Sequence, residues 1–133
     1  MKYSSTRGKD NNLNFVDVLL NGLAKDGGLY VPNKIPKYSK KQLNELKKLD
    51  YTQLAYELTF PFVRSDEITS DSYMSICRKT YDDSFGKEII SIDKLNENEH
   101  ILNLFHGPTF AFKDYAMQFL GNLFSHCMQK KTN

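Results

Sequence analysis

His100-Ile101-Leu102-Asn103-Leu104-Phe105-His106-Gly107-Pro108-Thr109-Phe110-Ala111-Phe112-Lys113-Asp114 is the stretch on which the architecture turns, because the hydrophobic period changes inside it. Up to Phe105 the residues favour an extended strand. Gly107-Pro108 marks a tight turn. Beyond it Phe112, Ala116, Phe119, Leu120, Leu123 and Phe124 recur at three- and four-residue intervals up to Met128, which predicts a buried helix. Thr109 is the expected cap of that helix, and Lys113 and Asp114 fall in its first turn. Strand, turn and helix in this order indicate an α/β chain. A further strand normally completes such a crossover, and the sequence given ends at Asn133 without one.

Working back from this unit, Ile89-Ile90-Ser91-Ile92 and His100 to Phe105 read as strands separated by the charged turn Asp93 to Glu99. A helix capped by Thr69 or Ser70 carries Tyr73, Ile76, Cys77, Thr80 and Tyr81 on one side and closes at Asp82-Asp83-Ser84 and Gly86. Another starts near Thr52, presents Leu54, Ala55, Leu58 and Phe62, and ends or bends at Pro61. Ser39 with Gln42 forms a capping-box pattern ahead of a helix over Lys40 to Leu49. Leu29-Tyr30-Val31 is a short extended piece, and Asn14 is positioned to cap a helix over residues 15–24. At the start, Tyr3 to Arg7 reads as an edge strand ending at Gly8, with Lys9 to Asn12 as a polar loop.

Composition narrows the function classes. The 133 residues are 40% hydrophobic and 26% charged, the balance of a globular domain. Eighteen basic against sixteen acidic side chains give a net charge of +2, too balanced to point to nucleic acid. Apolar runs such as Val18-Leu19-Leu20 fall far short of the roughly 20 residues of a membrane span. The first eight residues lack a secretory pattern, so cytoplasmic residence is expected. Cys77 and Cys127 lie fifty positions apart, which supports neither a metal site nor a disulfide framework, and both are read as reduced thiols. His126 beside Cys127 does not make a nucleophile and base, because adjacent helical residues point in different directions.

Lys113 is the residue that composition leaves unexplained. Within Phe110-Ala111-Phe112-Lys113 an apolar surrounding would favour the neutral amine needed to attack a carbonyl. On the bare pattern the alternative stays open that its amine reaches solvent or pairs with Asp114. The turn at Gly107-Pro108 and the free amides of a helix start suit a phosphate, and equally suit any capped helix. His106 at a strand end is a proton donor or acceptor, or a structural hydrogen-bonding group.

Leu104 to Asp114 closely resembles the cofactor-lysine segment of the threonine synthase family. Two further blocks, Tyr3-Ser4-Ser5-Thr6-Arg7-Gly8 and Gly22-Leu23-Ala24-Lys25-Asp26-Gly27-Gly28-Leu29-Tyr30-Val31-Pro32 ahead of Ile35-Pro36, stand in the family's order and approximate spacing. The resemblance thus covers nearly the whole chain. It implies the N-terminal part of a tryptophan synthase β-like, fold type II pyridoxal phosphate enzyme, built from short strands and several helices. Residues 1–99 would be its N-terminal domain and 100–133 the incomplete start of the catalytic domain. It implies a carbon-oxygen lyase that turns O-phospho-L-homoserine and water into L-threonine and phosphate, the last step of threonine biosynthesis.

Under the resemblance Lys113 is the catalytic lysine that holds pyridoxal 5'-phosphate and, once released, moves protons between substrate carbons. Phe112 and Asp114 are carried over as cofactor-side residues. Thr109 and Arg7 are carried over as substrate-side residues, Arg7 because its forked donors suit phosphate. No metal is implied. Family members are considerably longer, and their serine-, threonine- and glycine-rich phosphate loop is absent from this sequence. The 133 residues alone are therefore expected to be inactive, with surfaces around Phe119, Leu120 and Phe124 available for self-association. A non-enzymatic interaction domain derived from the synthase, and a related enzyme acting on another phosphorylated amino acid, are the competing readings.

Overall fold

β1 (Tyr3–Ser5) runs between β2 (Asn11–Leu13) and β3 (Tyr30–Pro32), antiparallel to both, in a computed structural model that describes residues 1–86 and 88–132. Tyr3 faces Pro32 and Ser5 faces Tyr30, while a bulge between Tyr3 and Ser4 shifts the register against β2. Three-residue strands have few ladder bonds, so side chains close the sheet. The Asp26 carboxylate accepts from the Ser5 hydroxyl at 2.6 Å and from the amides of Lys9 and Gly28 at 3.0 Å each. Those hydrogen bonds, the Ser5 hydroxyl foremost, hold the Asp26 carboxyl below its ordinary range. Gly27 is left-handed at φ 77°, which permits the turn.

β2 corrects the expected loop over Lys9 to Asn12. An asparagine-rich run carries little strand signal, but the free edge of β1 pairs it, and Asn12 supplies a left-handed φ of 64° that asparagine tolerates. α1 (Phe15–Asn21) stops three residues before the expected end because Gly22, at φ 72°, takes the C-cap and donates its amide to Val18. Asn14 precedes α1 without a side-chain cap, its amide oxygen accepting from Lys2 Nζ at 2.7 Å. The carboxylate of Glu67 receives the Phe15 and Val16 amides instead, at 3.4 and 2.9 Å. A distant residue thereby supplies the anion a helix start prefers.

α2 (Lys40–Leu46) and α3 (Tyr51–Thr59) each begin with a complete capping box, Ser39 with Gln42 and Asp50 with Gln53. The second box ends the first helix early. The chain tightens through Lys48 to Glu45 and Leu49 to Leu46 backbone bonds before Asp50 starts again, so the expected helix to Leu49 is shortened. A 3-10 turn at Phe60–Phe62 follows α3 and contains Pro61, as expected of a residue with no amide to donate.

α4 (Ser70–Ser84), capped by Thr69, runs through the division between two compact units, Met1–Met74 and Ser75–Asn133. The first unit buries Tyr3, Val63, Ile68 and Tyr73. Tyr56 stacks on Phe60 at 5.0 Å, and Phe60 meets Tyr73 at 5.2 Å. The Tyr3 hydroxyl donates to the Phe62 carbonyl at 2.8 Å. Burial, helped by the Glu67 charge, raises its pKa to about 12.

The second unit packs Ile76, Cys77, Thr80, Tyr81 and Phe85 with Leu123 and Cys127 of α5 (Asp114–Thr132). The buried Thr80 hydroxyl donates to Ile76 and accepts from Asn122, and the Tyr81 hydroxyl donates to the Tyr115 carbonyl. β4 (Ser91–Lys94) and β5 (His100–Asn103) form an antiparallel hairpin. β4 lies two residues later than expected, because the Ile89 carbonyl accepts from the Tyr115 hydroxyl rather than from a strand. β5 ends at Asn103, short of the expected Phe105, since the chain there turns toward the helix. α5 corrects a further expectation: Leu123 is buried, but Phe112, Ala116, Leu120 and Phe124 are exposed. No described helix is long and apolar enough to cross a membrane.

Two outcomes follow from the first unit. A Cβ on Gly28 would stand 2.1 Å from Ser5 Oγ and 3.1 Å from the Arg7 amide, so Gly28→Ala should lower unfolding stability by about 1–3 kcal/mol. Urea titration measures it, and an unchanged midpoint would refute the close approach. The second concerns pH. Because the Tyr3 pKa is raised on folding, its contribution is complete below pH 10.0 and is lost as pH rises toward about 12. Tyr3→Phe should flatten that alkaline loss in urea midpoints taken across the window.

Candidate functional site

The loop between β5 and α5 is organised by one buried carboxylate. Asp114, 4% exposed, accepts the Thr109 amide on Oδ2 and the Thr109 hydroxyl on Oδ1, both at 2.8 Å. Gly107 lies directly against it: a Cβ there would meet Asp114 Cβ at 2.4 Å. Within the loop the Phe110 amide donates to Gly107 and the Asp114 amide to Ala111. Phe110 takes a left-handed φ of 59°, a strained conformation for a bulky residue.

Lys113 stands immediately before α5. Its carbonyl accepts the Ala116 amide at 3.1 Å and the Met117 amide at 2.8 Å, so its backbone is fixed while its side chain is exposed. This corrects three expectations. Lys113 precedes the helix rather than lying in its first turn. Thr109 does not cap the helix; it is held by Asp114 from inside it. The apolar window around Lys113 exists in sequence but not in space, since Phe110 is 79% and Phe112 67% exposed. Desolvation by these two rings is therefore not what sets the lysine apart.

At the other end of the loop His106 Nε2 lies 3.0 Å from the Ser91 hydroxyl, and its ring packs on Phe105 at 4.7 Å. Asn103 donates to Ser91 Oγ at 3.1 Å and to Asp93 Oδ2 at 2.8 Å. The loop is thus anchored to the hairpin at its entry and to the helix at its exit. Arg7 belongs to the first unit, where its Nη1 donates to the Asp26 carbonyl at 3.1 Å. Thr109, Phe112, Lys113 and Asp114 are brought together in one loop. The organising role of Asp114 and the His106–Ser91 contact escape a sequence reading, because both depend on residues meeting across a turn.

The model of the family described as "Threonine synthase N terminus" matches residues 2–81. The chain belongs to the threonine synthase family. Threonine synthase of Pseudomonas aeruginosa is 44% identical over 131 residues, covering 98% of this chain and 28% of that enzyme. A Xenopus laevis protein named threonine synthase-like 2 is 33% identical over 131 residues, again 98% of this chain and 28% of the relative. Among solved structures, the pyridoxal-phosphate-bound threonine synthase from Brucella melitensis superposes with a TM-score of 0.92 at 36% identity, covering all of this chain and 28% of that one. The fold is therefore that of the N-terminal region of threonine synthases. The chain spans under a third of the length of these relatives.

Removing the clamp has a definite expected cost. Asp114→Ala leaves the Thr109 amide without its acceptor and should destabilise the chain by about 1–3 kcal/mol, more than Thr109→Ser, which keeps both donors. Equal urea midpoints for the two variants would contradict the arrangement.

Proposed function

We propose that Lys113 is the lysine that binds pyridoxal 5'-phosphate in a threonine synthase acting on O-phospho-L-homoserine. The observation that supports it is the placing of Lys113. Its backbone is pinned at the start of α5 by the Ala116 and Met117 amides, its loop is locked by Asp114, and its side chain is free to reach a ligand. Fixing the anchor while leaving the amine accessible is what an attacking group needs. The solved relative with pyridoxal phosphate bound supports the choice of cofactor.

The described residues fit the amine end of that cofactor and not its phosphate. The buried Asp114 already places a carboxylate at the start of α5, so an anionic phosphate would meet a like charge there. When bound, the cofactor supplies an electron sink for a substrate carbanion. The protein's part then falls to the Lys113 amine, which takes a proton from one substrate carbon and returns it to another. Asp114 acts as a positioning residue, holding the loop through Thr109. Phe112 is carried over as a cofactor-side residue, and Arg7, with donors beyond the one given to Asp26, as a substrate-side one. In this reading residues 1–99 form the N-terminal domain and 100–133 open the catalytic domain.

A second reading is an enzyme of the same family acting on a different phosphorylated amino acid. One experiment addresses both. The 133 residues are joined to the part of the P. aeruginosa synthase that they do not match. The chimera should show the visible absorbance of lysine-bound pyridoxal phosphate and release phosphate from O-phospho-L-homoserine. Lys113→Ala should lose that absorbance and reduce turnover by about a thousandfold. Absorbance kept by Lys113→Ala would refute the lysine assignment, and cofactor binding without phosphate release would favour the second substrate reading. The 133 residues alone should bind the cofactor only weakly.

A further inference from the structure

Two clamps act on the Lys113 loop, and they do different things. The Asp114 carboxylate ties Thr109 to the start of α5, which makes loop and helix rigid together, but that clamp does not reach the hairpin. The tie to the hairpin runs through His106. Its ring Nε2 lies 3.0 Å from the hydroxyl of Ser91, which faces Asn103 at the open end of β4 and β5 and accepts from the Asn103 side-chain amide at 3.1 Å. The His106 backbone amide donates to the Tyr115 hydroxyl, and that hydroxyl donates to the Ile89 carbonyl just ahead of β4.

Tyr115 is a fixed post for this clasp. It lies two residues after Lys113 in the first turn of α5, its carbonyl accepts from the Tyr81 hydroxyl of α4 at 3.0 Å, and its ring tilts against Phe85 at 4.8 Å. Burial raises its pKa, with the His106 amide opposing, so the phenol keeps the proton that it gives to Ile89. We propose that the Tyr115 and Ser91 hydroxyls are positioning groups for Lys113: by gripping His106 from α5 and from β4, they fix the lysine's helix start against the hairpin. The consequence for the cofactor rests on the reading of Lys113 given above; the clasp does not. An attacking group misplaced by about 1 Å can lose about a hundredfold in rate. The Asp114 clamp would carry Lys113 along in such a shift rather than resist it.

Grip and chemistry are measured separately in the chimera. Without cofactor, hydrogen exchange over residues 104–109, followed by mass spectrometry, should be about tenfold faster in Tyr115→Phe and in Ser91→Ala. Ser91→Thr, which keeps a hydroxyl, should exchange as the parent does. With pyridoxal phosphate added, Tyr115→Phe and Ser91→Ala should keep the visible absorbance, because Lys113 is intact, but lose visible circular dichroism, which needs the cofactor held in one orientation. Their kcat should fall about tenfold, with KM changed by less than about twofold. Because both hydroxyls hold one residue, the double variant should lose less than the product of the two single losses. Tyr3→Phe, which removes a hydroxyl donor in the first unit, should move neither circular dichroism nor kcat. Unchanged exchange in both single variants would overturn the clasp. Faster exchange with circular dichroism and kcat intact would overturn its positioning role and leave a structural brace. Absorbance retained by Lys113→Ala would refute the lysine reading alone, since the exchange rates decide the clasp without the cofactor.

Discussion

The loop that carries Lys113 has its shape because the Asp114 carboxylate is buried and holds both the amide and the hydroxyl of Thr109. A buried carboxylate left without donors costs several kcal/mol, so the loop and the helix start are stable only together. Gly107 permits this contact by having no Cβ. The strained Phe110 is its consequence, since a loop tied at Thr109 and at Asp114 must reverse between them. This constraint decides where the Lys113 backbone lies.

The first unit uses the same device. Its strands are three residues long, too short for ladder bonds to define them, and Asp26 gathers Ser5, Lys9 and Gly28 around one carboxylate. Glu67 does likewise for the start of α1. The two carboxylates differ in what they cost. Asp26 is half-buried, and its hydrogen bonds, the Ser5 hydroxyl foremost, draw its pKa down against the desolvation that opposes them. Asp114 is nearly sealed, so its two donors are obligatory. A chain with small cores relies on such side-chain staples where a larger one relies on burial.

What could be read from sequence was what is local. The Ser39 and Gln42 capping box, the break at Pro61 and the periodic helices α3 and α4 are fixed by residues three or four apart, and they appear where expected. The misses have one cause. β2 exists because β1 offers an edge, α1 is capped by Glu67 from far along the chain, and β4 is displaced by a tyrosine of α5. Gly22 and the Asp50 box are different: both are local stop or start signals that hydrophobic periodicity outweighed. At the candidate site the grouping of Thr109, Phe112, Lys113 and Asp114 was legible, but not which residue holds which. Hydrophobicity alone put Lys113 in an apolar setting that the fold does not provide.

That difference bears on how such a lysine is made reactive. If desolvation came from Phe110 and Phe112, the loop alone would carry the chemistry. Both rings are largely in water, so the loop contributes position and leaves dryness to whatever covers it. Position and dryness are separable contributions. The first comes from hydrogen bonds complete within this chain, at Asp114 and at the Lys113 carbonyl. The second does not come from Phe110 or Phe112, whose rings lie largely in solvent.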